Sequence, residues 1–340
     1  DRASMPELVE VQNVAFEGFM VRRAVIEAIG LPDPSFFIFY DDAEYAVRAR
    51  HAGFTILAVR DAVLVRQLAF DQQHDLSGWK GFYMYRNLFV VHFRYGENVL
   101  VRLKPYLIVL AVVVAVGLLG PSDPPANLAG YAFYITFWVG LVPASLLLGP
   151  VWQRVNPLRT LYAGLSRLTG PAPAADRLPR VGYWPAAASL LAFAWLELAY
   201  PDRANPRVVA GFLVVYGVLH LLGALWFGAG WFARGDGFEV WSTLLGRLSP
   251  WGRRTDGRLV VRSPLDGADG LPLARGLAAV VVVLVGSTAF DGVTRTQWWQ
   301  SGFGKQGDAV AGPPTLGLLV VVALTAALYV AATAAAGRIA

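Results

Sequence analysis

Two adjacent carboxylates, Asp41 and Asp42, follow the aromatic run Phe36-Phe37-Ile38-Phe39-Tyr40 and precede Ala43-Glu44-Tyr45. The run suits a short buried strand and the residues after it suit a helix, so the acids fall where one element gives way to the other. Two chemistries fit that position. A helix N-terminus stabilises negative charge, which makes Asp41, Asp42 and Glu44 a cap with first-turn acids. An acid at the carboxyl edge of an open α/β sheet is instead placed to act as a general base, ionised near neutral pH and about 2.6–3.2 Å from the proton it removes.

A second set of ionisable groups lies farther along, inside or beside apolar stretches: Glu197, His220, Asp236, Glu239 and Asp291. An ionisable side chain within a bilayer is by default a functional candidate, and Glu197 and His220 are candidates for a facing pair. The alternative has Glu197 reaching the headgroups from about one turn below a span end, with His220 bonded to a neighbouring helix. Gly235-Asp236-Gly237-Phe238-Glu239 reads as a turn with capping acids. The absence of cysteine excludes disulfides, thiolate nucleophiles and cysteine-ligated metal, and four histidines (His51, His74, His92, His220) are too few for a dedicated multi-histidine centre.

The elements that must position these groups differ along the chain. Of 340 residues, 56% are hydrophobic and 16% charged, against about 25% charged in soluble domains, and the mean hydropathy is +0.47. Residues 1–104 keep an ordinary density of Arg, Asp and Glu. There the pattern predicts a helix ending at Gly30, a break at Pro32 and Pro34, a strand over 36–40, a helix over Asp41–His51 closed by Gly53, a strand over 54–59 and a helix over 79–93.

After Pro105 the apolar runs lengthen and charge retreats into the gaps. Crossing the hydrocarbon takes about 20 apolar residues, and six spans are expected, at 106–120, 130–150, 183–200, 208–232, 274–290 and 314–336. Tyr106, Tyr131, Trp152, Tyr183, Trp184, Tyr200 and Trp231 stand near span ends, where amphipathic rings suit the headgroup layer. The loops 151–182 and 233–273 are rich in Arg, whereas 121–129, 201–207 and 291–313 hold few basic residues or none. The positive-inside rule then puts the Arg-rich loops, the soluble segment and the C-terminus on the cytoplasmic side of a multi-pass cell-membrane protein. The +5 net charge is explained by those loops and implies no nucleic-acid partner.

Several motifs in order carry a family resemblance. They are Gly18-Phe19-Met20-Val21-Arg22-Arg23, Ile29-Gly30-Leu31-Pro32-Asp33-Pro34-Ser35-Phe36-Phe37, Asp41-Asp42-Ala43-Glu44-Tyr45-Ala46-Val47-Arg48 through Gly53-Phe54, and Tyr83-Met84-Tyr85-Arg86-Asn87. Together they resemble the acceptor half of the family 2 glycosyltransferase catalytic domain, of GT-A fold, in its actinobacterial galactofuranosyl- and rhamnosyltransferase form. The fold expected is a partial α/β GT-A-like segment followed by an all-α polytopic membrane domain. The resemblance implies Asp42 as general base, Asp41, Glu44, Arg86 and Asn87 at the acceptor, a nucleotide-sugar donor, a polyprenyl-linked glycan acceptor at the bilayer, and inversion at the sugar. It also implies a divalent cation, Mg or Mn, whose main ligands belong to a donor half expected before Asp1, so that this stretch alone is not expected to turn over. Where related enzymes carry Trp-His this chain has Val65-Arg66, which leaves Arg66 or His74 for the phosphate or metal region.

The stretch 108–336 resembles another family, actinobacterial multi-span membrane proteins labelled fenitrothion hydrolase. The resemblance rests on Tyr134 to Ser145, on Asn156-Pro157-Leu158-Arg159, on Trp231 to Val240 and on Gly286 to Gly292. It implies hydrolysis of organophosphate esters, and the activated water such a reaction needs would have to come from the few ionisable groups named above. A transport role for the spans is the alternative. The two resemblances meet within a few residues of Pro105, as in a natural fusion or a mis-joined gene.

Overall fold

The computed structural model describes residues 4–65, 79–170, 172–253, 258–269, 271, 274–304 and 311–339. The chain is mainly helical and divides into two compact units, Asp1–Pro105 and Tyr106–Ala340. Among the described residues the strands form two small antiparallel sheets, Leu8–Glu10 with Leu57–Val59 and Trp251–Arg253 with Leu259–Val261.

In the first unit the helices are Arg23–Ile29, Asp41–His51 and Trp79–Tyr95. Gly30 ends the first of them at φ +75°, a conformation that costs glycine nothing. The Asp41–His51 helix stands as the acid, Arg and Gly pattern predicts, with Asp41, Asp42 and Glu44 in its first turn and Arg48, Arg50 and His51 in its last. That polarity suits the helix dipole. Arg48 anchors it by donating to the Ile29 carbonyl at 2.6 Å and the Leu31 carbonyl at 3.1 Å, while the Tyr45 hydroxyl donates to Gly30 at 3.1 Å. The strand expected over 54–59 is reduced to Leu57–Val59, paired in register Leu8↔Val59.

The strand expected over 36–40 does not form. Phe39 and Tyr40 are both left-handed, at φ 62° and 63°, so the chain turns there instead of extending. The carbonyls of Ile38 and Phe39, which a neighbouring strand would take, are bonded by a side chain.

Among the described residues of the second unit four helices are long and apolar enough to cross a bilayer: Leu128–Leu148, Pro206–Phe227, Leu277–Thr294 and Gly312–Gly337. They coincide with four of the six expected spans. At the expected 183–200 span the helix Trp184–Leu198 has 15 residues, about 22 Å at 1.5 Å per residue against about 30 Å of hydrocarbon. It qualifies only together with Ala175–Val181, from which it is bent by 64°. At the expected 106–120 span the apolar helix Lys104–Leu119 is shorter than a crossing.

These helices are apolar outside as well as inside. On Pro206–Phe227 one stripe (Val209, Ala210, Tyr216, Gly217, His220, Ala224) is buried, while Val215, Leu219, Leu222 and Trp226 are exposed on the other. Gly312–Ile339 exposes Leu316, Leu324, Leu328 and Val330. Apolar surface this continuous is seldom left to water, and lipid is the solvent that suits it. Inside, Phe133, Phe193 and Phe238 pack edge to face with centroids 5.2–6.1 Å apart, and Leu190, Phe232 and Val280 complete the same core.

Candidate functional site

The turn before Asp41 is built by its neighbours. Arg86 donates to the Ser35 carbonyl at 2.7 Å and to Asn87 Oδ1 at 2.8 Å. With its oxygen so occupied, the fully buried Asn87 amide turns its nitrogen inward and donates to the carbonyls of Ile38 and Phe39, both at 2.8 Å. Two consecutive left-handed residues without glycine are costly, and such strain persists only where surrounding bonds impose it. Here Arg86 and Asn87 impose it, and the chain enters the Asp41–His51 helix directly after the turn.

Asp42 follows at the second helical position, half-buried, its Oδ1 accepting from the Ala43 N–H at 2.6 Å. Burial lifts its carboxyl above the usual aspartate value; the Ala43 N–H pulls the other way and the charge of Asp41 adds to the rise. Neither acid caps the helix, since Tyr40 is the N-cap residue and makes no side-chain capping bond.

Glu44 is 1% exposed. Its carboxylate accepts from the Tyr95 hydroxyl at 2.5 Å and is paired with Arg48 at 2.7 Å. It thus locks the helix to Trp79–Tyr95 and is closed to a ligand. Arg86 and Asn87 likewise spend their bonds on the Ser35–Phe39 backbone, which makes them positioning residues for the acids. Tyr95, which completes this lock with Arg48, carries no motif signal and lies just past the helix expected over 79–93. Arg66 and His74 lie outside the described residues. Among the described residues no three or more His, Cys, Asp or Glu side chains converge as a metal site, and Glu44 is already committed to Tyr95 and Arg48.

In the helical unit two separated motifs meet. Asn156 caps the Pro157–Thr169 helix by accepting from the Leu158 N–H at 3.0 Å, and Asp236 caps Gly237–Arg247 by accepting from Phe238 and Glu239. The two caps are bonded to each other, Asn156 Nδ2 donating to Asp236 at 2.8 Å and to Glu239 at 3.2 Å. Arg159 pairs with Glu239 through two nitrogens, and Tyr216 donates to Asp236 at 2.6 Å. Asp236 and Glu239 are fully buried, and every oxygen they carry is bonded. Low dielectric strengthens a satisfied network of this kind, and it ties four helical segments together. The Gly-flanked Asp signalled one of the two caps; nothing in the spacing of the motifs signalled the contact.

Glu197 and His220 do not face each other. His220 Nδ1 accepts from Trp231 Nε1 at 3.1 Å and lies against Tyr216 at 4.2 Å between ring centroids. Glu197 stands in a polar cavity of about 400 Å³ with Arg203, Asp291, Arg295, Trp299 and Gln300. The notion of a hydrogen-bonded His220 is therefore the one the contacts favour.

Among the described residues the fold gives a helical unit with four helices long and apolar enough to cross a membrane, preceded in the chain by a second compact unit of helices and one small sheet. No family model, curated protein or solved structure matches the chain.

Proposed function

We propose that the chain is part of a membrane-bound, inverting family 2 glycosyltransferase of GT-A type, acting at the cytoplasmic leaflet on a polyprenyl-linked cell-envelope glycan. In this reading six segments cross the membrane, the two sub-length helices at 106–120 and 183–200 among them. Asp42 removes the proton of the acceptor hydroxyl as its oxygen bonds to the anomeric carbon. The bond from that carbon to the donor phosphate breaks, and the nucleotide diphosphate leaves with the electron pair. The proton passes from Asp42 to water. Asp41 raises the basicity of Asp42 and lies beside it; Arg86, Asn87 and Glu44 hold the turn and the helix.

The observation that carries the reading is the half-buried Asp42 carboxylate at a helix start, presented by a strained turn that Asn87 and Arg86 hold in place. A base poised nearer the working pH than a free aspartate is what proton abstraction needs. The test joins the chain to a donor-binding half and measures sugar transfer from a nucleotide sugar. Asp42→Asn should abolish transfer while melting like wild type; near-normal transfer by that variant would refute the assignment.

A second reading places the activity in the helical unit, as a hydrolase or transporter of the fenitrothion-hydrolase-labelled kind, and the polar cavity at Glu197 favours it. Deleting residues 1–104 then leaves organophosphate hydrolysis or solute uptake intact, whereas loss of both with the unit still folded counts against it.

A further inference from the structure

The cavity at Glu197 has a charge arrangement that selects a ligand. It opens where the C-terminal ends of Trp184–Leu198 and Leu277–Thr294 meet the start of Gly312–Ile339, at the end of the helical unit away from its Arg-rich loops. Its volume, about 400 Å³, falls in the range of small-molecule sites, roughly 300–1,000 Å³. Asp291 and Arg295 on its wall compensate each other through a 3.1 Å ion pair. Glu197 and Arg203 feel each other's charge but form no direct ion pair, and neither side chain makes a hydrogen bond among the described residues, although both lie on the cavity wall. Trp299, packed edge to face on Phe290, forms an apolar side to the same space, and Gln300 is bonded through its nitrogen to Thr294, which leaves its oxygen to the cavity.

An isolated anion entering here meets two carboxylates, and an isolated cation meets two guanidinium groups, so neither gains much from the field. A molecule with one charge of each sign meets a carboxylate and a guanidinium that are not bonded directly to each other. Helix walls of low polarity strengthen such contacts relative to bulk water. We propose that this cavity binds a small zwitterion, a protonated amine a few atoms from an acidic oxyanion, with Glu197 receiving the ammonium and Arg203 the anion. Two sources supply that chemistry, a free amino acid and the headgroup of an ethanolamine phospholipid. The proposal is independent of glycosyl transfer, since it concerns the helical unit alone.

The test uses the full chain in nanodiscs of phosphatidylglycerol, titrated with glycine and with glycerophosphoethanolamine while tryptophan emission and melting temperature are followed. Acetate, inorganic phosphate and methylammonium serve as half-ligands. At least one zwitterion should give a saturable response that no half-ligand gives. Glu197→Gln and Arg203→Gln should each weaken it about tenfold, the loss of one charged contact. A response to glycine alone assigns a dissolved amino acid, a response to glycerophosphoethanolamine alone assigns a lipid headgroup, and a response to both assigns the charge pair irrespective of its carrier; each supports the proposal. No saturable response, an equal response to a half-ligand, or undiminished binding in both variants overturns it. Should either variant fold poorly, the wild-type contrast between zwitterions and half-ligands decides alone.

Discussion

The side-chain amide of Asn87 donates to the backbone carbonyl of Phe39 at 2.8 Å and so fixes a residue whose φ is +62°. A second bond, to Ile38, shares the same nitrogen. Removing the amide leaves two carbonyls and a strained turn without support. Asn87→Ala should therefore lower the stability of the first unit by about 2 kcal/mol, read by thermal melting or by faster proteolysis near residue 40. The strain itself is separable. Because a left-handed residue with a Cβ costs about 1–2 kcal/mol, Tyr40→Gly should be more stable than Tyr40→Ala by about 1 kcal/mol. Equal stabilities would mean that the turn relaxes without glycine.

The pH dependence of Asp42 follows from its burial. A base must be ionised, so transfer falls as pH drops through its pKa, and a raised pKa puts that acid limb above the usual aspartate value of 3.8. Asp41→Asn removes the adjacent like charge and should move the limb to lower pH. Stability has the opposite sense. With its folded-state value raised, protonated Asp42 contributes stability that is fully present below 3.8 and lost as pH rises through the folded value. Asp42→Asn should accordingly fold at pH 7 at least as well as wild type, while transfer drops by about a hundredfold or more.

In the helical unit the pair Arg159–Glu239 is asymmetric, since the Glu239 side chain is 1% exposed and that of Arg159 25%. Arg159→Met strands a carboxylate that retains one bond, from Asn156. The expected cost is about 3 kcal/mol, because an unpaired buried charge costs more than the pair contributes. Arg159→Met with Glu239→Leu should recover at least half of that loss, measured as melting temperature in detergent. A double variant as unstable as the single one would show that the bonds to Asn156 and the packing matter more than the charge.

Close packing gives another test. Trp231 lies between two helices, and a Cβ at Gly223 would come 2.3 Å from its ring, at Gly235 2.5 Å. Gly223→Ala should destabilise by about 2 kcal/mol, the usual cost of overpacking, and Trp231→Leu in the same chain should relieve most of it. Gly211, on the same Pro206–Phe227 helix, has nothing within 4 Å of such a Cβ. Gly211→Ala should be neutral or stabilising, by up to about 1 kcal/mol from helix propensity.

What the sequence disclosed here depended on range. Periodicity and caps are local, so the Asp41–His51 helix and four of the apolar helices were legible from residues that touch. The turn at Phe39–Tyr40 was not, because its aromatic residues favour a strand and what overrides them is Asn87, which bonds Ile38 and Phe39 from 49 and 48 positions away. The same holds for Asn156 and Asp236: the Gly-flanked Asp236 reads as a local cap, and only folding makes Asn156 its partner. Glu197 and His220 looked alike as lone polar residues in apolar runs. Their fates differ because Pro206–Phe227 turns His220 toward Trp231, whereas Glu197 ends beside a cavity.

The direction of the helices in the membrane can be read chemically, since the chain has no native cysteine to confuse labelling. Ser122 and Thr169 are both exposed and lie on opposite sides of the Leu128–Leu148 helix in sequence. The loop holding Ser122 carries no Lys or Arg, and Thr169 belongs to the Arg-rich segment 151–182. The positive-inside rule then puts Ser122 outside and Thr169 in the cytoplasm. In intact cells an impermeant maleimide should label Ser122→Cys and spare Thr169→Cys until the membrane is opened. The opposite labelling would invert the whole helical unit and, with it, place the Glu197 cavity on the cytoplasmic side. Labelling of both without permeabilisation would instead mean that Leu128–Leu148 does not cross, and that its exposed apolar side chains are covered by protein.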